Sequence, residues 1–432
     1  MKNMVQFTMY NMKFGESILI TRENQIAILS DLGSKWDEED MRTTYDKVIN
    51  HLSSIDAINL YISHFHLDHY SGLIYAYHNG IHLNINELIL SDINNISVIK
   101  ALLTTACFKA ILSKCVLPAS RTMTITLLDF ILFICTNINR TKFLHRGDFI
   151  DNNTILWPDQ NLITTYSEEI FEKIKDKIKS LFGTYVNNNS DNKLLEKFFQ
   201  TIDEYSELID QAFQGKNHLN NDVFQGIIPI IDDLGSTIIS NKTLREEFLE
   251  SYLDNETRNK ITELLNREDL DDIKLVDLLL SENIKLNRFE HAVCLVFHNE
   301  KDDDLENYLF TGDIEKNNLK KIINNFDKKC PLHKYYKYFK VPHHGTNSQK
   351  YYTDLIENKL EPDSYLIISN GKRMKHTKRF VRHWNIDKKY YDIKLCTYRH
   401  FCSNTDNCKG YSKRCCTCKK SIFINRAYKN SI

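Results

Sequence analysis

Ser63-His64-Phe65-His66-Leu67-Asp68-His69 follows directly on the apolar run Ile58-Asn59-Leu60-Tyr61-Ile62. The run has the β-branched and aromatic character of a buried strand, so the histidines begin where the strand stops. His64 and His66 are two apart, and an extended backbone points both to one side. Asp68 and His69 come after the strand end, where the chain can turn and aim them at a neighbouring position. Neutral imidazole nitrogen and carboxylate oxygen are the donors that zinc-class cations take, and the spacing suits two adjacent metals. The competing reading is a solvated, histidine-rich loop.

Four other strings lie in an order that gives the first one a context. Gly15-Glu16-Ser17-Ile18-Leu19-Ile20 followed by Ile26-Ala27-Ile28-Leu29-Ser30-Asp31-Leu32-Gly33 reads as a hairpin. Gly147-Asp148 precedes the strand-like Ile155-Leu156-Trp157-Pro158. Tyr308-Leu309-Phe310-Thr311-Gly312-Asp313-Ile314 and Phe339-Lys340-Val341-Pro342-His343-His344-Gly345-Thr346 are apolar strands that each end in polar, metal-capable residues. Together with HxHxDH these strings resemble the motifs of the metallo-β-lactamase superfamily, over about residues 5 to 158 and 288 to 425. Within it they are most similar to the branch that contains the metallo-hydrolase domain of DNA-uptake competence proteins.

The resemblance implies an α/β fold, the metallo-β-lactamase αβ/βα four-layer sandwich, here carrying an all-helical insertion. It implies two zinc ions per active site, one held by His64, His66 and His291, the other by Asp68, His69 and His343, with Asp313 between them. Such a pair polarises the bond under attack and acidifies water toward neutrality. Asp68 also counts among the catalytic groups, and Asp31 is expected to orient a ligand histidine. His344 and His376 are candidates to hydrogen-bond developing charge or protonate a leaving group. His291 lacks the glycine that often precedes the family's histidine, and a half-buried strand-edge histidine is the alternative reading. His298, at the far end of that strand, is the poorer candidate. The superfamily covers many chemistries. The competence-like motifs favour a phosphodiesterase or nuclease, with a place in bacterial antiviral defence implied by similarity to components of such systems. A small-molecule ester, thioester or lactone hydrolase is the alternative, and a non-catalytic sensing or interaction module is a third.

Charge is unevenly spread. Residues 159 to 285 hold 26 acidic and 14 basic residues, whereas 371 to 432 hold 17 basic and 3 acidic. A basic end beside a metal site favours a polyanion such as nucleic acid; a basic surface that docks on the acidic segment is the alternative. The first fifteen residues lack the charged-then-apolar pattern of an export signal, so a cytoplasmic protein is expected. The most apolar region, about 101 to 135, is interrupted by Lys109, Lys114, Pro118, Arg121 and Asp129. It reads as buried helices and not as a membrane span.

Three regions follow: an N-terminal half (1–158), an all-helical insertion (159–287) and a C-terminal half (288–432) with a Cys-rich loop (396–418). In the insertion, Ile170, Ile174, Ile178 and Leu181 recur at helical spacing, with Ser167 as the expected N-cap. Asn187 to Asp191 breaks the pattern, and helices are expected over 194–213, 243–253 and 258–265. The insertion is a candidate lid, substrate selector or surface for a protein partner. Cys107, Cys115, Cys135, Cys294 and Cys330 read as free buried thiols. Cys402, Cys408, Cys415 and Cys418 can form one further, structural zinc site, with incidental free thiols or disulfides as the alternatives.

Overall fold

The computed structural model describes residues 5–35, 38–116, 127–185, 189–216, 219, 226–240, 291–300, 307–324, 331–345, 359–369 and 394–396. His376, Cys402, Cys408, Cys415, Cys418, Cys330 and the basic end beyond 396 lie outside them, as do the helices expected over 243–265. The chain divides into two compact units. One comprises Met1–Asp92, Arg140–Asp159 and His291–Ile432; the other comprises Ile93–Asn139 and Gln160–Glu290.

The first unit is mixed α/β and is built on two mixed sheets. The first sheet runs, in spatial order, β1 (Gln6–Met9), β2 (Gly15–Thr21), β3 (Ala27–Ser34), β4 (Ile58–Ile62), β5 (Ile85–Ser91) and β6 (Thr141–Leu144). The hairpin expected from Gly15 to Gly33 is the antiparallel β2–β3 pair. From β3 onward the pairings are parallel. The second sheet contains β7 (Phe149–Ile150), β8 (Asn153–Trp157), β9 (Val296–Asn299), β10 (Tyr308–Phe310), β11 (Tyr336–Lys340), β12 (Leu360–Ile368) and β13 (Lys394–Cys396), adjacent in that order. Its pairings are antiparallel up to β10 and parallel from β10 to β13.

Both sheets contribute to one apolar cluster, with Phe7, Ile18, Ile20, Tyr61 and Ile89 from the first and Ile155, Phe297, Tyr308, Phe310 and Ile367 from the second. Alternation along each strand puts these residues on the facing sides. The rings of Phe7 and Tyr308 meet edge to face at 5.7 Å, and Phe297 stacks on Phe310 at 5.2 Å. Helix α1 (Glu38–Ser53) turns Met41, Tyr45, Val48, Ile49 and Leu52 inward at helical spacing. Helix α2 (Leu67–His78) lies against β3.

A polar chain crosses the apolar layer. Asp151, in the β7–β8 turn, accepts from Asn59 Nδ2 at 2.8 Å and from the Tyr61 hydroxyl at 2.9 Å, both on β4. Tyr308 donates to Asn153 at 2.6 Å and is itself bonded by Arg22. Asp151 and Asn152 adopt φ of 52° and 57°, the left-handed pair that a tight hairpin turn requires.

The second unit is helical among its described residues: α3 (Ile96–Val116), α4 (Leu127–Thr136), α5 (Gln160–Tyr185), α6 (Asn189–Phe213) and α7 (Ile227–Ser240). Ala101 to Cys107 are all buried, seven consecutive residues that cover every face of α3. A helix apolar all round belongs at the centre of a bundle, and α3 contacts α4, α5, α6 and α7. Lys100 pairs with Asp203 at 2.7 Å. The unit thus draws residues 93–139 together with the segment after 159, where the sequence suggested a single insertion over 159–287. Hydrophobic periodicity locates helices, but which helices share a core depends on contacts remote in sequence. Ser167 is also placed differently. Helix α5 begins seven residues earlier than the expected cap, and the buried Ser167 hydroxyl donates back to the Ile163 carbonyl at 2.7 Å. No helix among the described residues is long and apolar enough to cross a membrane.

The cross-sheet polar chain yields a prediction. Asp151→Ala leaves the buried Tyr61 hydroxyl without its acceptor, so unfolding free energy should fall by about 1–3 kcal/mol. Equilibrium urea denaturation of the variant beside the parent protein measures it, and an unchanged midpoint would remove Asp151 from the framework.

Candidate metal centre

The polar residues singled out in the sequence meet at one edge of the two sheets, and strand direction explains why. Parallel strands β3 and β4 of the first sheet end in Asp31-Leu32-Gly33-Ser34 and Ser63-His64, while β10 and β11 of the second end before Asp313 and His343. Open parallel sheets present their ligand-binding residues beyond such carboxyl ends. Antiparallel neighbours reach the same edge through their beginnings, so β2 contributes Glu16 and the start of β9 brings His291. The two sheets are tied there by the Leu295 N–H donating to the Ser63 carbonyl at 2.6 Å.

Three groups of donor atoms form among the described residues; one, Glu16 with Asp31 and His69, shares His69 with the second of the two that adjoin at the centre. His64, His66, His291 and Asp313, all buried, bring one donor atom each to within 4.8 Å of one another. Asp68, His69 and His344 form the second such group. The rings of His64 and His69 are 4.0 Å apart, so the two groups adjoin. Asp313 Oδ2 faces both, 3.7 Å from His64 Nε2 and 3.8 Å from His69 Nε2. Its Oδ1 accepts the His343 backbone N–H at 2.9 Å, which leaves Oδ2 turned to the imidazoles. Asp31 Oδ1 accepts from Ser63 N at 2.7 Å, and Oδ2 lies 3.0 Å from His69 Nδ1, placing Asp31 where it can orient that ring.

His343 and His344 are arranged differently from the expectation. His344 Nε2 lies 2.8 Å from Asp68 Oδ2 and its Nδ1 is 2.7 Å from the Ser369 carbonyl, so His344 completes the group with Asp68 and His69. Both ring nitrogens thus face acceptor oxygens. His343, with a side chain 23 % exposed, stands 3.5 Å from Asp313 Oδ2, its ring 4.9 Å from that of His291. The reason is local backbone shape: φ is 52° at His343 and 53° at His344. Two successive left-handed residues turn the chain so tightly that the second side chain, not the first, is driven inward. Asp31 also has a left-handed φ, of 60°. Non-glycine residues hold this conformation only where surroundings enforce it.

Two glycines permit the close approach. A β-carbon on Gly33 would lie 2.6 Å from the Asp68 carbonyl carbon and the His69 nitrogen. Helix α2 can therefore begin against β3 only because residue 33 has no side chain. Gly312, with φ of 48°, sits where a β-carbon would strike Cys294 Sγ and Ser63.

Burial and charge set the protonation states. Burial holds His64 well below the usual imidazole range, His291 down to about 4 and His343 down to about 3. These rings are neutral, the form that binds metal. Burial opposes charge on His69 too, but Asp31 and Asp68 carry it up to about 9. Burial likewise works against the ionised forms of Asp68 and Asp313, yet both are held well below the usual carboxylate range, Asp68 chiefly by Lys35 and Asp313 by the histidines around it, His69 the charged one among them. Asp68 Oδ1, His69 Nε2, His291 Nε2 and His343 Nδ1 are buried with no hydrogen-bond partner among the described residues. Each such atom costs about 1–3 kcal/mol unless something takes up its hydrogen-bonding capacity. A cation at each group would do so, and the donor set is of the imidazole and carboxylate kind that zinc-class cations take.

Four participants, Lys340, Glu16, Cys294 and Lys35, were not assigned a role at the site from the sequence. Lys340 Nζ, fully buried at the end of β11, lies 2.6 Å from Glu16 Oε2 and 3.8 Å from Asp313 Oδ1. Burial opposes charge on Lys340, but Glu16 and Asp313 hold it protonated. Cys294, a buried free thiol, accepts the Asp313 N–H at 3.2 Å. Its pKa is pushed well above the usual thiol value by burial and by Asp313, so it serves as an uncharged acceptor and not as a nucleophile. Lys35 Nζ lies 3.5 Å from Asp68 Oδ2. A lysine inside the apolar run Tyr336 to Val341 was the available signal for the first of these. His298, by contrast, is away from the cluster: its Nδ1 pairs with the Tyr336 hydroxyl at 2.7 Å and its ring stacks on His333. No protein-family model, curated protein or solved structure matches this chain.

The buried pair and the raised histidine each generate an expected outcome. Lys340→Met strands Glu16 as a buried charge and should cost about 3–5 kcal/mol, whereas Glu16→Gln with Lys340→Met removes both charges and should recover most of it. Denaturant melts of both variants compare them, and a double variant no more stable than the single one would contradict the pairing. Below about 9 the His69 proton competes with a cation. Divalent-metal affinity should therefore rise with pH toward that value, with about one proton released per site near neutrality. Calorimetry in buffers of different ionisation enthalpy counts that proton; zero release would contradict the raised value.

Proposed function

We propose that the protein is a metal-dependent hydrolase of metallo-β-lactamase type, its two sheets and their helices forming the αβ/βα sandwich. The reading includes two zinc ions at the adjoining groups and a phosphodiester, nucleic acid foremost, as substrate. The observation that carries it is the convergence of His64, His66, His291 and Asp313 with Asp68, His69 and His344 at one strand edge. Six of the seven residues come from the motifs that carry the family resemblance; His291 lies between them. Bound there, the cations would supply Lewis acidity and lower the pKa of water toward neutrality.

The chain's own residues would do the rest. Asp313 presents one oxygen to both groups because its other oxygen is occupied by the His343 N–H. Asp31 fixes the His69 ring through Nδ1 and leaves Nε2 directed inward. His343, partly exposed at the rim, is placed to offer its neutral ring as a hydrogen-bond donor to charge developing on the substrate. The resemblance to the competence-protein branch and the basic excess outside residues 159–285 support a polyanionic substrate. A cytoplasmic setting and a role in antiviral defence belong to the same proposal and rest on the resemblance alone.

Metal analysis should find two zinc ions per site, and Asp313→Ala should lose both because both groups share that carboxylate. Undiminished occupancy would remove Asp313 from the bridging position. The zinc-loaded protein should hydrolyse bis(p-nitrophenyl) phosphate and at least one of single-stranded DNA, double-stranded DNA or RNA, more slowly as salt rises for the nucleic acids. Turnover of a lactone, thioester or nitrocefin with no diester cleaved would overturn the phosphodiesterase reading in favour of a small-molecule hydrolase.

A further inference from the structure

Lys35 follows the Asp-Leu-Gly-Ser string at the end of β3, and metal holding does not account for it. Its backbone N–H donates to the Phe14 carbonyl at 2.8 Å, and its ammonium lies 5.4 Å from the centre of the Phe14 ring. That ring is in turn 4.7 Å from the ring of His344. The backbone is thus fixed at Lys35 and the head of its side chain is placed, with the ammonium 3.5 Å from Asp68 Oδ2 and 17 % of the side chain exposed. Lys340, the other lysine against the cluster among the described residues, is fully buried and committed to Glu16. Of these two lysines, Lys35 is the one that combines contact with the cluster and access to solvent.

Coulomb repulsion makes this placement costly for a centre built only to hold cations. A fixed ammonium within a few ångströms of a metal-binding carboxylate weakens cation binding. The conflict disappears when an anion enters the same space, because an oxyanion gains from the ammonium and from the cations at once. Helix α2 adds to this, since it starts at Leu67 with its positive end toward the same groups. A preorganised ammonium also needs little reorganisation when the anion arrives.

We propose that Lys35 is the anion-reading residue of this site, its ammonium taking a non-bridging oxygen of a phosphate group at the rim of the cluster. The inference deepens the hydrolase reading by naming the phosphate group as the recognised part of the substrate, and it rests on that reading for turnover but not for binding. Lys35 is a substrate-binding residue in this scheme and carries no proton in the reaction.

The test uses the full chain, with and without added zinc, as the parent protein, Lys35→Met and Lys35→Arg. Inorganic phosphate is titrated by calorimetry, and zinc content and thermal midpoint are measured alongside. Loaded with zinc, whose charge compensates Asp68, Lys35→Met should keep its metal and its midpoint while phosphate affinity falls roughly ten- to a hundredfold, the loss of one charge-assisted contact. Lys35→Arg should recover most of that affinity. With bis(p-nitrophenyl) phosphate the KM should rise and kcat should change little, whereas p-nitrophenyl acetate, a neutral ester, should be indifferent to the substitution. Loss of zinc in Lys35→Met would make Lys35 a support for Asp68 and overturn the proposal. So would equal phosphate affinity in the three proteins, or failure of the parent protein to bind phosphate under either condition. Lys35-dependent phosphate binding without any diester hydrolysis would instead sink the hydrolase reading and leave this site standing.

Discussion

Four carboxylates, those of Glu16, Asp31, Asp68 and Asp313, are buried together at one edge of the molecule's two sheets. Unpaired, such a cluster would take up protons or unfold the edge, because buried charge is tolerated only when it is compensated. Each carboxylate has a compensating neighbour. Lys340 serves Glu16 and Asp313, His69 serves Asp31, and Lys35 with His344 serves Asp68. The donors that remain unsatisfied point to the centre of the cluster, which is what a cation-binding site requires. The same charges that would be unfavourable uncompensated give the edge a donor set that could hold a cation.

Backbone geometry keeps this charge in place. Glycine at 33 lets the start of α2 press against β3, so Asp68 and His69 arrive beside Asp31 and not a helix diameter away. Left-handed φ at Asp31, His343 and His344 costs conformational energy at three site residues. Histidine is among the residues that tolerate that shape best after glycine, but two in succession still need support from their surroundings. The expense is met by the sheets, whose shared apolar layer and cross-sheet hydrogen bonds hold both ends of the turn. Rigidity of the framework and strain at the site are therefore two aspects of one arrangement.

The two sheets contribute in similar ways. In each, antiparallel strands give way to parallel ones, and the cluster lies where the parallel strands end. One sheet supplies His64, His66, Asp68 and His69 in a single stretch, and the other supplies His291, Asp313, His343 and His344 from three strands. A site divided in this manner forms only when both sheets have docked, which couples metal binding to the completed fold.

Much of this was written locally in the chain. HxHxDH after a buried strand, Asp-x-Gly closing a hairpin, and apolar strands ending in Gly-Asp and His-His name their chemistry through side-chain type and the period of the backbone, both of which are short-range. The strands β3, β4, β10 and β11 and the helices α3 and α6 were likewise legible as apolar runs or periodic faces. What local pattern could not hold was anything set by residues far apart. Glu16 and Lys340 are unremarkable until two sheets bring them to 2.6 Å. Which of His343 and His344 turns inward depends on two backbone angles that neighbouring sequence leaves open. The helices of 93–139 join those after 159 because α3 is buried on every face and needs partners all round, and periodicity counts faces without naming what covers them. Residue types and spacings decided which donors were available; packing of the two sheets decided which of them meet, and with what charge.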